Sequence, residues 1–407
     1  MTISKQLPVP IFDTLENLID NNTPLPGYVN QDDFDITREF LLAYRGSSDT
    51  FNSYRRECEK FFQWLYLVAQ KSISEVERED VENFLRFCKR PTPKWISTKM
   101  VSKFVVENGI QQPNPAWRPY VVKISKADQR ADKQPIVKRY HLSDSGIAAA
   151  MRILSTFFTF LEMEDYVNNN PVKKIRQKSQ FTRQKQTTEP VRRLSEIQWD
   201  YVMETAQIMA SEKAFHERTL FIMSILYGMY LRISELVETE RWTPMMQHFY
   251  QDGDKNWWFK TVGKGNKERI VSVSGEVLNA LKRYRLSIGL TALPLPGDDQ
   301  PLIKKLKGVG GISSTRQVRD VVQVCFDRAI ERMKLDGMED SDIDGIKSAT
   351  VHWLRHTGIS EDVKARPKEH VRDDAGHSSS ATTDKYIDIE NRERHESAIK
   401  KKLRPIS

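Results

Sequence analysis

Between Pro171 and Leu194 the chain reads PVKKIRQKSQFTRQKQTTEPVRRL, with eight lysines or arginines and a single acid, Glu189. No other feature constrains the fold as much, because a charge run of this kind is solvated rather than packed. The segments on either side, by contrast, repeat apolar residues at helical spacing. A chain of 407 residues has room for two domains of about 100–200 residues each, and the run at 172–194 is the natural linker between them. Its basic residues are Lys173, Lys174, Arg176, Lys178, Arg183, Lys185, Arg192 and Arg193. A flexible, solvated connection accounts for them without further function. Laid along a phosphate backbone, they would add salt-sensitive affinity through counterion release.

The first 35 residues are rich in Pro, Asn and Asp and read as a loose arm, extended to 1–40 as a domain boundary. TFNSYRRECEKFFQWLYLVAQ, SISEVEREDVENFLRFC and LSDSGIAAAMRILSTFFTFLEMEDYV then predict helices of a small bundle over 41–171. Six prolines and many charges at 89–139 predict an irregular insertion. The second domain, 195–390, opens on the N-capped helix SEIQWDYVMETAQIMA and continues into an apolar helix over 219–238. KNWWFKTV and RIVSVS flank GKGNKE and predict a β-hairpin. Helical patterns return after it, and a tail at 391–407 closes the chain. The expected class is mainly α with a small antiparallel β-sheet.

Composition narrows the partners. A net charge of +8 and a pI near 9.1 favour a polyanion. Three cysteines without a CxxC pair suggest neither a disulfide framework nor a thiolate zinc site, and fit a reducing cytosol. LFIMSILYGMYL at 220–231, the longest apolar run, is too short to span a bilayer, and MTISKQLPVP lacks a signal-peptide core, so a soluble, cytoplasmic protein is expected.

Several residues have the types that phosphate chemistry needs. Arg232 ends the apolar helix, and Glu235, three positions on, lies on the same helical face. The pair is either a helix-end ion pair or an arginine held rigid for bidentate phosphate binding. Lys264 and Lys267 project from a turn that is not a Walker loop. It is either a solvated basic turn or a mobile tip that delivers a lysine to phosphate. In HWLRHT, His352 and Arg355 share a helix side, while His352 and His356 have the spacing of a zinc pair. Trp353 stands where a zinc hydrolase needs its Glu, which argues against that chemistry. AGHSSSATTDKYID adds His377 and Tyr386. A free tyrosine, with a pKa of about 10, is a poor nucleophile unless cations stabilise the developing charge.

In chain order these are Arg232 with Glu235, Lys264 in GKGNKER, His352 and Arg355 in HxxR, His377 in GHSS and Tyr386 in TTDKY, over about 155 residues. The ordered set resembles the tyrosine recombinase family, the phage-type integrases that include Xer-type recombinases. The resemblance implies a helical, SAM-like core-binding domain and a catalytic domain that clamp opposite faces of double-stranded DNA, with the basic linker crossing between them. It implies that Tyr386 attacks the scissile phosphate to form a 3′-phosphotyrosine link. Arg232 and Arg355 would hold the non-bridging oxygens, and Lys264 would protonate the leaving 5′-oxygen. His352 would take the tyrosine proton or position the phosphate, His377 would hydrogen-bond a phosphate oxygen, and Glu235 would support the cluster. No cofactor or metal is implied. Four protomers would assemble on two recombination sites, the tail docking on a neighbour, with accessory DNA-bending or directionality factors and a mobile element as the setting.

Two features depart from that pattern. GISEDVKARPKEHVRDDA, between HWLRHT and GHSS, is charged where the family has leucines, which puts the packing beneath His377 in question. The segments at 89–139 and 291–347 exceed a minimal member. A type IB topoisomerase-like enzyme and a DNA-binding regulator without cutting activity remain open alternatives.

Overall fold

The computed structural model describes residues 6–20, 25–108, 110–175, 192–240, 242–263, 265–377, 379–384, 386 and 398–399. Lys264 of the basic turn, Arg176, Lys178, Arg183 and Lys185 of the linker, and all but two residues of the 391–407 tail lie outside them. The chain divides into two compact units, Met1–Thr187 and Thr188–Ser407, with the break inside the basic run.

The first unit holds α1 (Leu15–Ile19), α2 (Gln31–Leu42), α3 (Ser48–Trp64), α4 (Arg78–Lys89), α5 (Lys126–Arg130) and α6 (Asp144–Met163). Aromatic rings join the long helices: Phe40 of α2 lies 5.0 Å from Phe157 of α6, and Phe61 of α3 lies 5.8 Å from Phe158. By length and composition α6 could cross a bilayer, but Ile147, Ala150, Leu154, Phe157, Phe158 and Leu161 are buried in this aromatic core. Ser143 caps it by accepting from the Gly146 amide.

Among the described residues of this N-terminal segment, 6–20 are not loose. Ile11, Phe12 and Leu18 are fully buried, and the Ile11 and Phe12 amides donate to the buried Glu59 carboxylate at 2.9 and 3.0 Å. The few apolar residues in a Pro- and Asp-rich segment were enough to fix it to the core. The 89–139 segment is likewise anchored. Its β1 (Ile96–Ser97) pairs in parallel with β4 (Tyr120–Val121), and β2 (Phe104–Glu107) pairs with β3 (Ile110–Pro113) in a hairpin. Trp95 and Tyr120 are buried, and Lys103 reaches Glu59 at 2.7 Å.

In the second unit α7 (Glu196–Glu212) starts with a Ser195/Gln198 capping box, and α8 (Glu217–Gly228) follows. A three-stranded antiparallel sheet, β5 (Phe249–Gln251), β6 (Trp257–Val262) and β7 (Glu268–Ser272), contains the expected hairpin, closed by Val262 opposite Glu268. Gly265 and Asn266, at φ +78° and +58°, turn the chain between them. The remaining helices are α9 (Gly275–Ser287), α10 (Thr315–Leu335), α11 (Asp340–Ser348), α12 (Val351–Ala365), α13 (Lys368–Ala375) and α14 (Ser380–Asp384). Helix α8 sits at the centre, with Phe221, Ile222, Met223 and Ile225 fully buried.

The apolar helix does not reach residue 238. It stops at Gly228, Tyr230 adopts φ +50°, and Arg232 is extended before a short 3₁₀ turn at Ile233–Leu236. Burial of the whole segment, rather than one amphipathic face, gave it the apolar continuity of a longer helix. Helix α12 packs so closely on this end that a Cβ on Gly358 would collide with the Tyr227 carbonyl oxygen. Gly358→Ala should therefore destabilise the second unit by about 1–3 kcal/mol or more, measured as a lowered denaturant midpoint, whereas Gly275→Ala, with open space around its Cβ, should shift it little.

Candidate active site

The site is built around the end of α13. Gly376 takes φ +62°, its amide bonds to the Asp373 carbonyl at 3.0 Å, and the His377 amide bonds to the Arg372 carbonyl at 3.1 Å. This is a Schellman closure, in which a left-handed glycine ends the helix and sets the direction of the next residue. It explains why His377 follows a glycine. A side chain at Gly376 would also run into Arg269 Cδ at 2.7 Å.

The closure leaves the last carbonyls of α13 facing inward, and arginines take three of them in succession. Arg269 Nε donates to Asp374 O at 3.0 Å, Arg355 Nη2 to Ala375 O at 2.6 Å, and Arg232 Nη2 to Gly376 O at 3.4 Å. Arg355 is 2% exposed, and its Nη1 donates to the Tyr230 carbonyl, which the positive φ of Tyr230 turns toward it. Burial, with Arg232 and Arg269 nearby, pushes the Arg355 guanidinium down to about 9, which leaves it charged at neutral pH.

Glu235, 1% exposed, holds two of these arginines. It accepts from Arg232 N at 2.9 Å and Arg232 Nη1 at 3.0 Å, and from Arg269 Nη1 and Nη2 at 2.6 and 2.8 Å. Burial pushes its carboxyl up, but the contacts with Arg269 and Arg232 outweigh burial and hold it below the usual carboxylate range. Gly263 lets the hairpin approach this cluster, since a Cβ there would lie about 3.1 Å from Glu235 Oε1 and Arg269 Nη1.

Tyr386 is 8% exposed and follows α14 by two residues. Its hydroxyl lies 2.5 Å from His356 Nδ1, and its ring stacks on His377 at 5.7 Å. Burial raises its pKa against the opposing charges of Arg355 and Arg232. His377 Nε2 is 3.2 Å from Arg355 Nη2, and its Nδ1 is 2.9 Å from Thr383 Oγ1. Arginine can only donate, so Nε2 accepts and the ring proton sits on Nδ1, directed at Thr383. His352 is exposed, its ring 4.3 Å from that of His356 in a T-shaped arrangement.

Beneath His377, the charged segment supplies its own packing. Val371 and Ala375 join Tyr230, Ile359 and Tyr386 in a small buried cluster. Asp374, 6% exposed, accepts from Ser272 N and Oγ at 3.0 and 2.6 Å and from Arg366 Nη2 at 2.6 Å. Arg366 also donates to Asp362 and to the Tyr230 hydroxyl, at 3.1 and 3.0 Å. A small apolar cluster and paired charges therefore share the support.

Of the residues singled out from the sequence, Arg232, Glu235, His352, Arg355, His377 and Tyr386 come together. Lys267 is exposed on the hairpin turn, and Lys264 lies outside the described residues. Lys173 and Lys174 are exposed, Lys173 pairing with Glu162 at 3.1 Å. Arg193 lies 3.5 Å from Glu361, and Arg192 is exposed. Two members of the cluster were missed. Arg269 could have been found from strand alternation, since it shares the inward face of β7 with Val271. His356 was visible as the i+4 partner of His352 but was weighed only as a zinc ligand. Among the described residues no group of three or more His, Cys, Asp or Glu side chains is placed to hold a metal ion.

Residues 192–393 match the model of the phage integrase family. The chain is 24% identical over 270 residues to tyrosine recombinase XerC of Leptospira interrogans, covering 66% of this chain and 76% of that protein. It is 25% identical over 312 residues to a tyrosine recombinase of Pseudothermotoga lettingae, covering 74% and 87%. In fold it is similar to XerH site-specific recombinase bound to difH substrate. The post-cleavage complex gives a TM-score of 0.56 over 98% of this chain and 90% of that one, and the pre-cleavage complex 0.52 over 94% and 93%, each at 14% identity.

The histidines make the unit sensitive to acid. Burial first, and the neighbouring charges second, push His356 and His377 from 6.5 down to about 4, and His352 is lowered as well. Between those values the unfolded chain binds protons that the folded unit refuses. Stability is therefore complete above about 6.5 and is lost as the pH falls toward 4. Denaturant midpoints taken from pH 7 to pH 4.5 should fall, and replacing His356 and His377 with Asn should flatten that slope.

Proposed function

Because the chain belongs to the phage integrase family through residues 192–393, we propose that it is a site-specific DNA recombinase that cuts and rejoins strands through a 3′-phosphotyrosine intermediate. The observation that carries this reading is the assembly of Arg232, Arg355, His356 and His377 about the buried Tyr386, with His352 against the His356 ring.

Tyr386 Oη attacks the scissile phosphorus, an O–P bond forms, and the bond to the 5′-oxygen breaks. Arg232 and Arg355 stabilise the charge that grows on the non-bridging oxygens, which is the larger part of phosphoryl-transfer catalysis. Lys264 protonates the leaving oxygen from the hairpin turn, and His377 turns toward a phosphate oxygen. Exchange of a phosphodiester for a phosphotyrosine conserves bond energy, so rejoining needs no ATP. Support for the arginines' role comes from their fixed geometry: both are held by backbone carbonyls, and Arg232 also by Glu235.

The substrate is double-stranded DNA carrying recombination sites. Lys173, Lys174, Arg176, Lys178, Arg183, Lys185, Arg192 and Arg193, in the basic linker, contact its phosphates. Four protomers pair two sites, with residues 391–407 docking in trans and accessory DNA-bending or directionality factors choosing direction. Integration and excision of a mobile element in the cytoplasm, at the nucleoid, is the setting that fits this chemistry.

The test uses a nicked duplex carrying the binding sequence recovered by selection from randomised DNA. The wild-type protein should form an SDS-resistant adduct, Tyr386→Phe should bind but form none, and Arg355→Ala should slow cleavage by about 10²–10³-fold or more. An adduct with Tyr386→Phe would sink the mechanism. Relaxation of a plasmid lacking the site would favour a topoisomerase instead.

A further inference from the structure

The resemblance has His352 take the tyrosine proton or position the phosphate, and for the proton the geometry points to a different histidine. His356 Nδ1 is 2.5 Å from Tyr386 Oη, with the ring centroids 5.2 Å apart. Among the described residues His352 has no hydrogen-bond partner. Its ring is exposed and meets His356 edge to face rather than the phenol. Helix α12 explains the division. Residues 352 and 356 are one turn apart on one face, so the first stands at the open side of the site and the second beneath it, against Tyr386.

We propose that His356 is a catalytic residue, the group that accepts the Tyr386 proton during strand cleavage and returns it during rejoining. The assignment rests on the recombinase reading given above. In the forward step the Tyr386 O–H bond breaks and its proton passes to His356 Nδ1, giving an imidazolium. The phenolic oxygen bonds to phosphorus, and the 5′-oxygen leaves with a proton from a separate acid. Rejoining reverses each transfer, with the imidazolium reprotonating the departing phenolate.

The surroundings suit the role. The groups facing His356 are His352 and Arg355 on its own helix, Tyr386 beside α14, and His377 after α13. Burial and these charges keep the imidazole neutral, with a lone pair free to accept, and burial keeps the phenol protonated. A phosphate between Arg232 and Arg355 would bring negative charge to the site and raise the imidazole toward working pH, where general bases are most effective. His356 would then become a competent base only when substrate is bound.

Three variants separate the possibilities on the nicked duplex. His356→Ala removes the acceptor. His356→Asn keeps a hydrogen-bond acceptor near the Nδ1 position but cannot carry a proton. His352→Ala removes the exposed ring. Both His356 variants should bind the duplex with wild-type affinity and melt cooperatively, and both should cleave about 10²–10⁴-fold more slowly. Their rate should rise with pH where the wild-type rate is level. Replacing the 5′-bridging oxygen with sulfur, a leaving atom that needs no proton, should not rescue them, because the defect lies at the nucleophile. Cleavage by His356→Asn within about threefold of wild type would overturn the proposal and leave His356 a positioning residue. Equal loss in His352→Ala together with rescue by sulfur in His356→Ala would overturn it as well. Failure of the wild-type protein to form an adduct would instead remove the recombinase reading itself, so the two failures are distinguishable.

Discussion

The site depends on one helix end. A helix C-terminus carries unpaired carbonyls and the negative pole of its dipole, and here Asp374, Ala375 and Gly376 spend theirs on Arg269, Arg355 and Arg232. Without such acceptors the three guanidiniums could not be gathered. Two unit charges about 4 Å apart repel by about 4 kcal/mol at an effective dielectric constant of about 20, and Glu235 supplies only one compensating charge. Three positive charges less one leave a surplus of two, with the histidines neutral. A phosphodiester carries one negative charge, and its attacked state carries more. On the recombinase reading proposed above, the surplus matches the substrate in its reacting form, and the helix end lets the folded protein tolerate it.

Holding that helix end requires its own frame. Asp374 does not compensate the three arginines, although its carbonyl binds one of them. Its carboxylate is taken by Ser272 on β7 and by Arg366 beyond α12. Arg366 in turn fixes Asp362 and the Tyr230 hydroxyl, and the Tyr230 carbonyl receives Arg355. The network ties sheet, α12, α13 and the break after α8 into one piece. Each member satisfies the next, as buried polar groups must. The charged segment before GHSS thus builds its support from ion pairs beside a small apolar cluster of Val371, Ala375 and Ile359.

How much of this was legible depended on distance along the chain. Local rules placed the Ser195 cap, the hairpin and the helices of the second unit, because each is decided by a few neighbouring residues. The order Arg232, His352, Arg355, His377, Tyr386 was legible through family resemblance, although nothing local says that these residues meet. The misreadings were tertiary. Periodicity carried α8 past Gly228, since a fully buried helix and the buried chain after it look alike in hydropathy. Composition made residues 1–35 read as a loose arm, whereas Ile11, Phe12 and Leu18 show their value only against Glu59 and the α3 core.

His356 and Arg269 show the same limit within the site. Both stand beside residues that had been singled out, one next to Arg355 and the other two past Lys267, yet sequence neighbours on a helix or strand need not share a role. On α12, Arg355 turns inward to the Tyr230 and Ala375 carbonyls, His356 turns toward Tyr386, and His352 stays exposed. One helix turn thus places three side chains in three settings: a guanidinium bonded to backbone carbonyls, an imidazole against the Tyr386 hydroxyl, and an exposed imidazole. The 3.6-residue period makes that partition possible, and the packing of α12 against Tyr230 through Gly358 fixes which residue receives which task.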